Sequence, residues 1–137
     1  MSHADDFAKL LYTFNIEFEV YMETHLAPTL TASQLLVLDF LAAREQAKPS
    51  DLLQLMRTSP AAVTTLLDRM QKAGLVHREK DSVDKRIVRL SITTFGKEEL
   101  ARGKEVQRTF LQNQLNGLSA HNQQMLVFLF NKIVKFD

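Results

Sequence analysis

The run Ser50-Asp-Leu-Leu-Gln-Leu-Met-Arg-Thr-Ser-Pro60-Ala-Ala-Val-Thr-Thr-Leu-Leu-Asp-Arg-Met70-Gln-Lys-Ala-Gly-Leu-Val-His-Arg-Glu-Lys80-Asp-Ser-Val-Asp-Lys-Arg-Ile-Val-Arg-Leu90-Ser-Ile-Thr93 decides the fold. It opens as a short helix over 50–57, turns, and continues as a second helix over 60–73. Ser59 offers a side-chain oxygen to the free N–H groups of that second helix, and Pro60 fits the first helical position, where no N–H is needed. Gly74 suits the left-handed closing conformation, with Met70 and Leu75 placed for the accompanying apolar contact. Val63, Leu66, Leu67 and Met70 recur at helical spacing and predict one buried stripe. Ala61, Thr65, Asp68 and Lys72 form the opposite face, flanked by Thr64 and Arg69. Small residues there allow close backbone approach to base edges, methyl groups suit thymine, and arginine suits guanine or phosphate. Taken alone, the same face fits an ordinary amphipathic surface helix.

The segment beyond Gly74 adds a second feature. Residues 75–80 and 86–92 read as strands, and in the second Val88, Leu90 and Ile92 alternate with Ile87, Arg89 and Ser91. Between Arg69 and Arg89 stand seven Lys or Arg against three acids, a local charge of +4 in a chain whose total is +1. Such a tip can neutralise phosphates, and an arginine there can enter a narrow minor groove. Charged turns that only keep a protein soluble look similar. Helix, turn, helix and basic hairpin in this order are the parts of a winged helix-turn-helix.

The residues resemble the MarR family of bacterial transcription regulators. The resemblance rests on Thr31 and Gln34, on Val63-Thr-Thr-Leu-Leu-Asp-Arg-Met-Gln-Lys-Ala-Gly-Leu-Val-His-Arg78, on Arg78-Glu-Lys-Asp81-Ser-Val-Asp84-Lys-Arg86, and on Ile92-Thr93-Thr-Phe-Gly96. Met70 and Ile92 stand where leucine is usual, a conservative change in a core. The resemblance implies a homodimer on a pseudo-palindromic operator in double-stranded DNA, with 60–73 as recognition helix and 80–86 as wing tip. Many such proteins are repressors released by small molecules. The expected DNA-facing residues are Ser33, Ser50, Ser59, Ala61, Thr64, Thr65, Asp68, Arg69, Lys72, Lys80, Asp84, Lys85 and Arg86. Asp84 is expected to orient Arg86, since an acid facing phosphate would be repelled.

The whole chain of 137 residues is read as one domain, which buries roughly two-thirds of its unfolded surface. Within it, 31–93 is the expected DNA-binding lobe, and 1–30 with 94–137 the expected helical dimerisation lobe. At 45% hydrophobic and 24% charged residues the composition is that of a globular protein. The absence of cysteine excludes disulfides, thiol redox sensing and cysteine-ligated metals. No apolar run approaches the ~20 residues of a membrane span. Asp5 and Asp6 lie where a signal peptide would be positive, so a cytoplasmic location is the expectation.

The flanks read as helices. Over about 4–26, Phe7, Leu11, Phe14, Phe18, Tyr21 and His25 alternate spacings of four and three, and Leu10, Val20 and Met22 widen the stripe. This is more apolar surface than one face of a domain usually needs, so part of it is expected to meet a partner subunit. The same region carries five acids against Lys9 alone, the reverse of the hairpin. Thr31 with Gln34 forms a capping box, and Leu30 with Leu35 a hydrophobic staple. Lys48-Pro49 links to the helix-turn-helix, whose first helix Ser50 is expected to cap. Thr93 opens a long helix to about Gly117, with Gly103 weakening its middle. Ser119 caps a last helix carrying Met125, Leu126, Phe128, Leu129, Ile133 and Phe136. We expect a mainly α fold with a two- or three-stranded antiparallel wing, the third strand being a short stretch before Ser50.

Chemical sites are sparse. The four histidines share no ligand spacing, and His25 near Glu23 is a poor basis for a metal site. No nucleophile–base pair, phosphate loop or H-E-x-x-H run occurs, so the expectation is a non-enzyme without cofactor or metal. An effector pocket for a small apolar or phenolic molecule is expected, by family analogy, around Phe14, Phe18, Tyr21 and Leu38. The same residues equally suit a plain core. A winged-helix adaptor that binds protein and not DNA stays open as the alternative function.

Overall fold

The computed structural model describes residues 2–134. Six helices and one hairpin follow in the order α1 (His3–Leu26), α2 (Ala32–Ala42), α3 (Pro49–Met56), α4 (Pro60–Lys72), β1 (Val76–Lys80), β2 (Val88–Ile92), α5 (Thr94–Leu115) and α6 (Ala120–Ile133). Mainly α with a small antiparallel wing is therefore the observed class. No described helix is long and apolar enough to cross a membrane.

Side-chain caps set most helix starts. Ser2 and Asp5 form a capping box on α1, and Thr31 and Gln34 form the expected one on α2. Thr93 and Ser119 cap α5 and α6. The start of α3 corrects the sequence expectation. Lys48, not Ser50, is its N-cap, and Asp51 accepts the Lys48 N–H at 2.9 Å. Proline favours the first helical position, which moves the cap back two residues and leaves Ser50 in the first turn.

The core joins α1's last turn, α2, the helix-turn-helix and the wing. Leu26, Val37, Leu38, Leu52, Met70, Leu75 and Leu90 are all fully buried, and Leu41 and Leu67 nearly so. The staple pair Leu30 and Leu35 also lies in this core. In β2 only Leu90 is fully buried, with Val88 and Ile92 packed at the edge. The expected third strand reduces to one bridge: Ala47 exchanges both backbone hydrogen bonds with Leu90, at 3.1 and 2.7 Å. Pro49 and the α3 start follow at once, so no longer pairing forms. Gly103 has a packing role that its helix-weakening reputation hides. A Cβ there would lie 2.5 Å from Leu35 Cδ1, so the glycine lets α5 close on α2.

The outer helices are different. None of the α6 residues is buried, and Val127, Phe128, Leu129 and Ile133 are each more than half exposed. Phe136, expected to continue that helix, lies outside the described residues. Phe110 is the aromatic hub between α1 and α5, touching Phe14, Phe18 and Tyr21 at centroid distances of 5.9, 5.4 and 5.0 Å.

Candidate nucleic-acid interface

Helix α4 is built as its residues predict. Ser59 accepts the Ala62 N–H, Pro60 is the first helical residue, and Val63, Leu67 and Met70 are buried with Leu66 at their edge. The far end closes as a Schellman motif. Gly74 has φ +76°, its N–H donates to Gln71 O, and the Leu75 N–H donates to Met70 O. Between α3 and α4 the turn passes through Arg57 at φ 50°.

This frame leaves Ala61, Thr64, Thr65, Arg69 and Lys72 exposed on α4. Thr64 donates its hydroxyl to Pro60 O at 3.0 Å, which keeps its methyl and an acceptor oxygen for a ligand. Asp68 is exposed too, and its carboxylate is paired within the chain. It forms a 2.6 Å ion pair with Arg78 of β1, whose Nε also donates to Gln71 Oε1 at 2.5 Å. The carboxylate thus ties α4 to the hairpin, and Arg78 offsets its negative charge. Thr64, Gln71, Arg78, Lys80 and Val88 face one another across a concavity of about 390 Å³ between α4 and the hairpin.

The wing tip is held by its own acids. Asp81 Oδ2 accepts the N–H groups of Val83 and Asp84, and its Oδ1 accepts Arg89. Asp84 binds Arg86 three ways: Oδ1 accepts the backbone N–H at 3.1 Å and Nε at 3.0 Å, and Oδ2 accepts Nη2 at 3.0 Å. The brace expected of Asp84 on Arg86 is therefore present. The Arg86 side chain remains 90% exposed. The backbone N–H of Asp84, then Arg89, holds the Asp81 carboxyl below the usual carboxylate range. The Arg86 side chain does the same for Asp84, and its own guanidinium is pushed up in return. These loop bonds occupy residues 81–87, so β2 starts at Val88 rather than Arg86.

Of the remaining expected site residues, Ser33, Ser50, Ser59, Lys80 and Lys85 are all exposed, with Ser33 at the start of α2. The structure adds Arg78, Gln71, Asp81 and Arg89, which sequence reasoning does not assign to the site. Asp81 is legible from its Asp-x-x-Asp turn spacing. Arg78 lies seven and ten residues from Gln71 and Asp68, a separation no local period reports.

The expected effector residues take different places in the fold. Leu38 is fully buried in the core, and Phe14 and Tyr21 pack on Phe110. Tyr21 also stacks on His25 at 3.8 Å, and His25 Nδ1 lies 2.9 Å from Tyr21 O. No group of three or more His, Cys, Asp or Glu able to hold a metal occurs among the described residues. Phe18 lines a cleft of about 260 Å³, with Met22, Leu35, Leu36, Asp39, Lys104 and Gln107. Helical periodicity places these side chains on the inner face, but which neighbour fills the space depends on Phe110, far along the chain.

Comparison with known proteins agrees with this geometry. The family model described as MarR family matches residues 30–88. The transcriptional regulator HosA of Escherichia coli O157:H7 is 30% identical over 110 residues, which cover 80% of this chain and 82% of that protein. An uncharacterized HTH-type transcriptional regulator, YdgJ of Bacillus subtilis strain 168, is 28% identical over 98 residues, covering 72% of this chain but 60% of YdgJ. Among solved structures, a mutant MarR from E. coli complexed with operator DNA superposes with a TM-score of 0.76 at 25% identity, over 93% of each chain. With a matching family model, a relative of this identity and coverage, and a winged helix-turn-helix of the same build, the chain belongs to the MarR family of transcriptional regulators.

Proposed function

We propose that this chain is a sequence-specific DNA-binding regulator that acts as a homodimer on a pseudo-palindromic operator. The observation that carries this reading is Arg86: a guanidinium held in place by Asp84 yet 90% exposed, at the tip of a basic hairpin beside an open recognition helix. A fixed, exposed cation is suited to phosphate or to a narrow minor groove, because little side-chain freedom is lost on binding. Thr64, Thr65 and Arg69 supply the polar and methyl groups for the major groove.

Homodimerisation is supported by α6. A helix that buries none of its side chains within its own chain gains little from folding alone. Phe7, Leu11 and Phe14 of α1 are similarly half-open, and Phe7 meets Phe130 of α6 at 6.1 Å. Repression is the expected sense of action, since an occupied operator excludes polymerase. The cleft at Phe18 and Leu36, with Lys104 and Asp39 ion-paired at 2.9 Å on its rim, suits a small apolar or phenolic effector. Such a ligand acts only by favouring one arrangement of the two recognition helices over another.

A gel shift with the DNA upstream of the protein's own coding region, and with duplexes retained from a random pool, tests the reading. The expected result is saturable binding at moderate salt that survives competitor DNA. Binding that competitor abolishes at every salt would leave the adaptor role instead.

A further inference from the structure

Among the described residues, Glu99 is the one buried charged side chain, at 8% exposure. It sits in the second turn of α5, on the side facing the end of α1. Both its oxygens lie 3.1 Å from Thr29 Oγ1, and Oε2 accepts Arg102 Nε at 3.0 Å and Nη2 at 2.7 Å. Arg102 reaches on to the last carbonyls of α1, donating to His25 O at 3.1 Å and Leu26 O at 2.8 Å, and to Thr29 Oγ1 at 2.9 Å. A helix end has carbonyls without helical partners, and here one guanidinium satisfies two of them.

Stability alone is a weak reason for such a node, since a buried ion pair is often no better than apolar packing of the same volume. What a planar fork with four acceptor groups provides is a single geometry, where leucine-on-leucine contact permits sliding. Nine residues earlier, α5 is fastened a second time. Thr93 Oγ1 donates to Gly74 O at 2.6 Å and lies 3.0 Å from Leu75 O, and the Thr93 N–H donates to Leu75 O at 3.1 Å. Gly96 lies so close to the Leu75 carbonyl that a Cβ would not fit. The closing turn of α4 is thus fixed to the start of α5, and the end of α1 is fixed about 14 Å along the same helix.

We propose that Arg102 is a positioning residue for DNA recognition: with Glu99 and Thr29 it sets the angle between α1 and α5, and through α5 the separation of the two recognition helices in the dimer. The node touches no DNA and acts through α4. It thereby determines which half-site spacing the protein prefers. This inference rests on the dimeric DNA-binding function proposed above.

The test uses full-length protein and the duplex recovered from the random pool, with the centre of the site lengthened or shortened by one base pair. Each such change moves the half-sites by ~3.4 Å and turns them by about a tenth of a helical turn. Wild type is expected to lose at least about tenfold in affinity on either change, comparable to one mismatched base pair. Thr29→Val and Arg102→Gln are expected to cut that penalty to below about threefold, with dimerisation unchanged and half-site sequence preference intact. Arg102→Lys, which keeps the charge but not the fork, is expected to behave like Arg102→Gln. If Arg102→Gln fails to fold, Thr29→Val decides, because it leaves the ion pair in place. An unchanged spacing penalty in Thr29→Val, full rescue by lysine, or a wild type indifferent to spacing overturns the inference while leaving DNA binding intact. A wild type that retains no duplex overturns the proposed function itself.

Discussion

The helix-turn-helix with its wing and the outer helices treat apolar surface in opposite ways. From α2 through β2, leucines 38, 41, 52, 67, 75 and 90 are each at most 1% exposed, and in the wing Arg86 is paired with Asp84 and Arg89 with Asp81. In α6, by contrast, Val127, Phe128, Leu129 and Ile133 remain open, and no residue is buried. Burial of apolar area is the main favourable term in folding, at about 25 cal/mol per Å². The first region is therefore complete within one chain. The second has its favourable term still to gain, which is the physical ground for proposing a second copy against it.

Four experiments break or sharpen that contrast. The largest effect is expected in the complete region. Leu67→Ala removes a side chain at 1% exposure and is expected to cost about 2–5 kcal/mol in denaturant unfolding, independent of protein concentration. The same truncation at Leu129, half exposed, is expected to cost well under about 1 kcal/mol at concentrations where the chain is single. Equal costs at the two leucines would erase the distinction. Next, Val127→Asp places a charge on the open face. Sedimentation is expected to show the dimer weakened by about a hundredfold or more, with the fold intact by circular dichroism. A chain that stays single at every concentration even in wild type would remove the reason for this surface.

The wing supplies the smaller effects. Arg86→Ala is expected to weaken duplex binding by roughly tenfold and to lower the salt slope by about one phosphate contact. An unaltered slope would mean that Arg86 faces solvent in the complex. Smallest is the pH response of the brace. Asp81 and Asp84 have carboxyls held below their ordinary range in the folded state, so their contribution is fully present above that range and lost as pH falls through the depressed values. Amide resonances of Val83, Asp84 and Arg86 should thus stay fixed from pH 7 down to about 5 and shift only below about 4. Movement near pH 6 would point to another group.

Much of this molecule is readable residue by residue. Capping boxes, the Ser59-Pro60 start and Gly74 close of α4, and the alternation in β2 depend on neighbours within four positions or across one short hairpin. Such chemistry is local, so spacing along the chain reports it. The wing brace is legible for the same reason, because Asp84 and Arg86 are two residues apart. The cap of α3 falls two residues before the expected one because Ser50 and Lys48 both precede or begin the same apolar run, and Pro49 arbitrates between them.

Other features took shape only when the helices packed. Arg78 pairs with Asp68 because β1 folds back over α4, and Arg102 meets the carbonyls of His25 and Leu26 across 76 or 77 positions of chain. Leu38 is fully buried, Phe110 packs against Phe14, Phe18 and Tyr21, and α5 approaches α2 closely at Gly103. Helical periodicity says which face of each element is apolar. It carries no information on the angle and depth at which two such faces meet, and those quantities settle which side chains share a site.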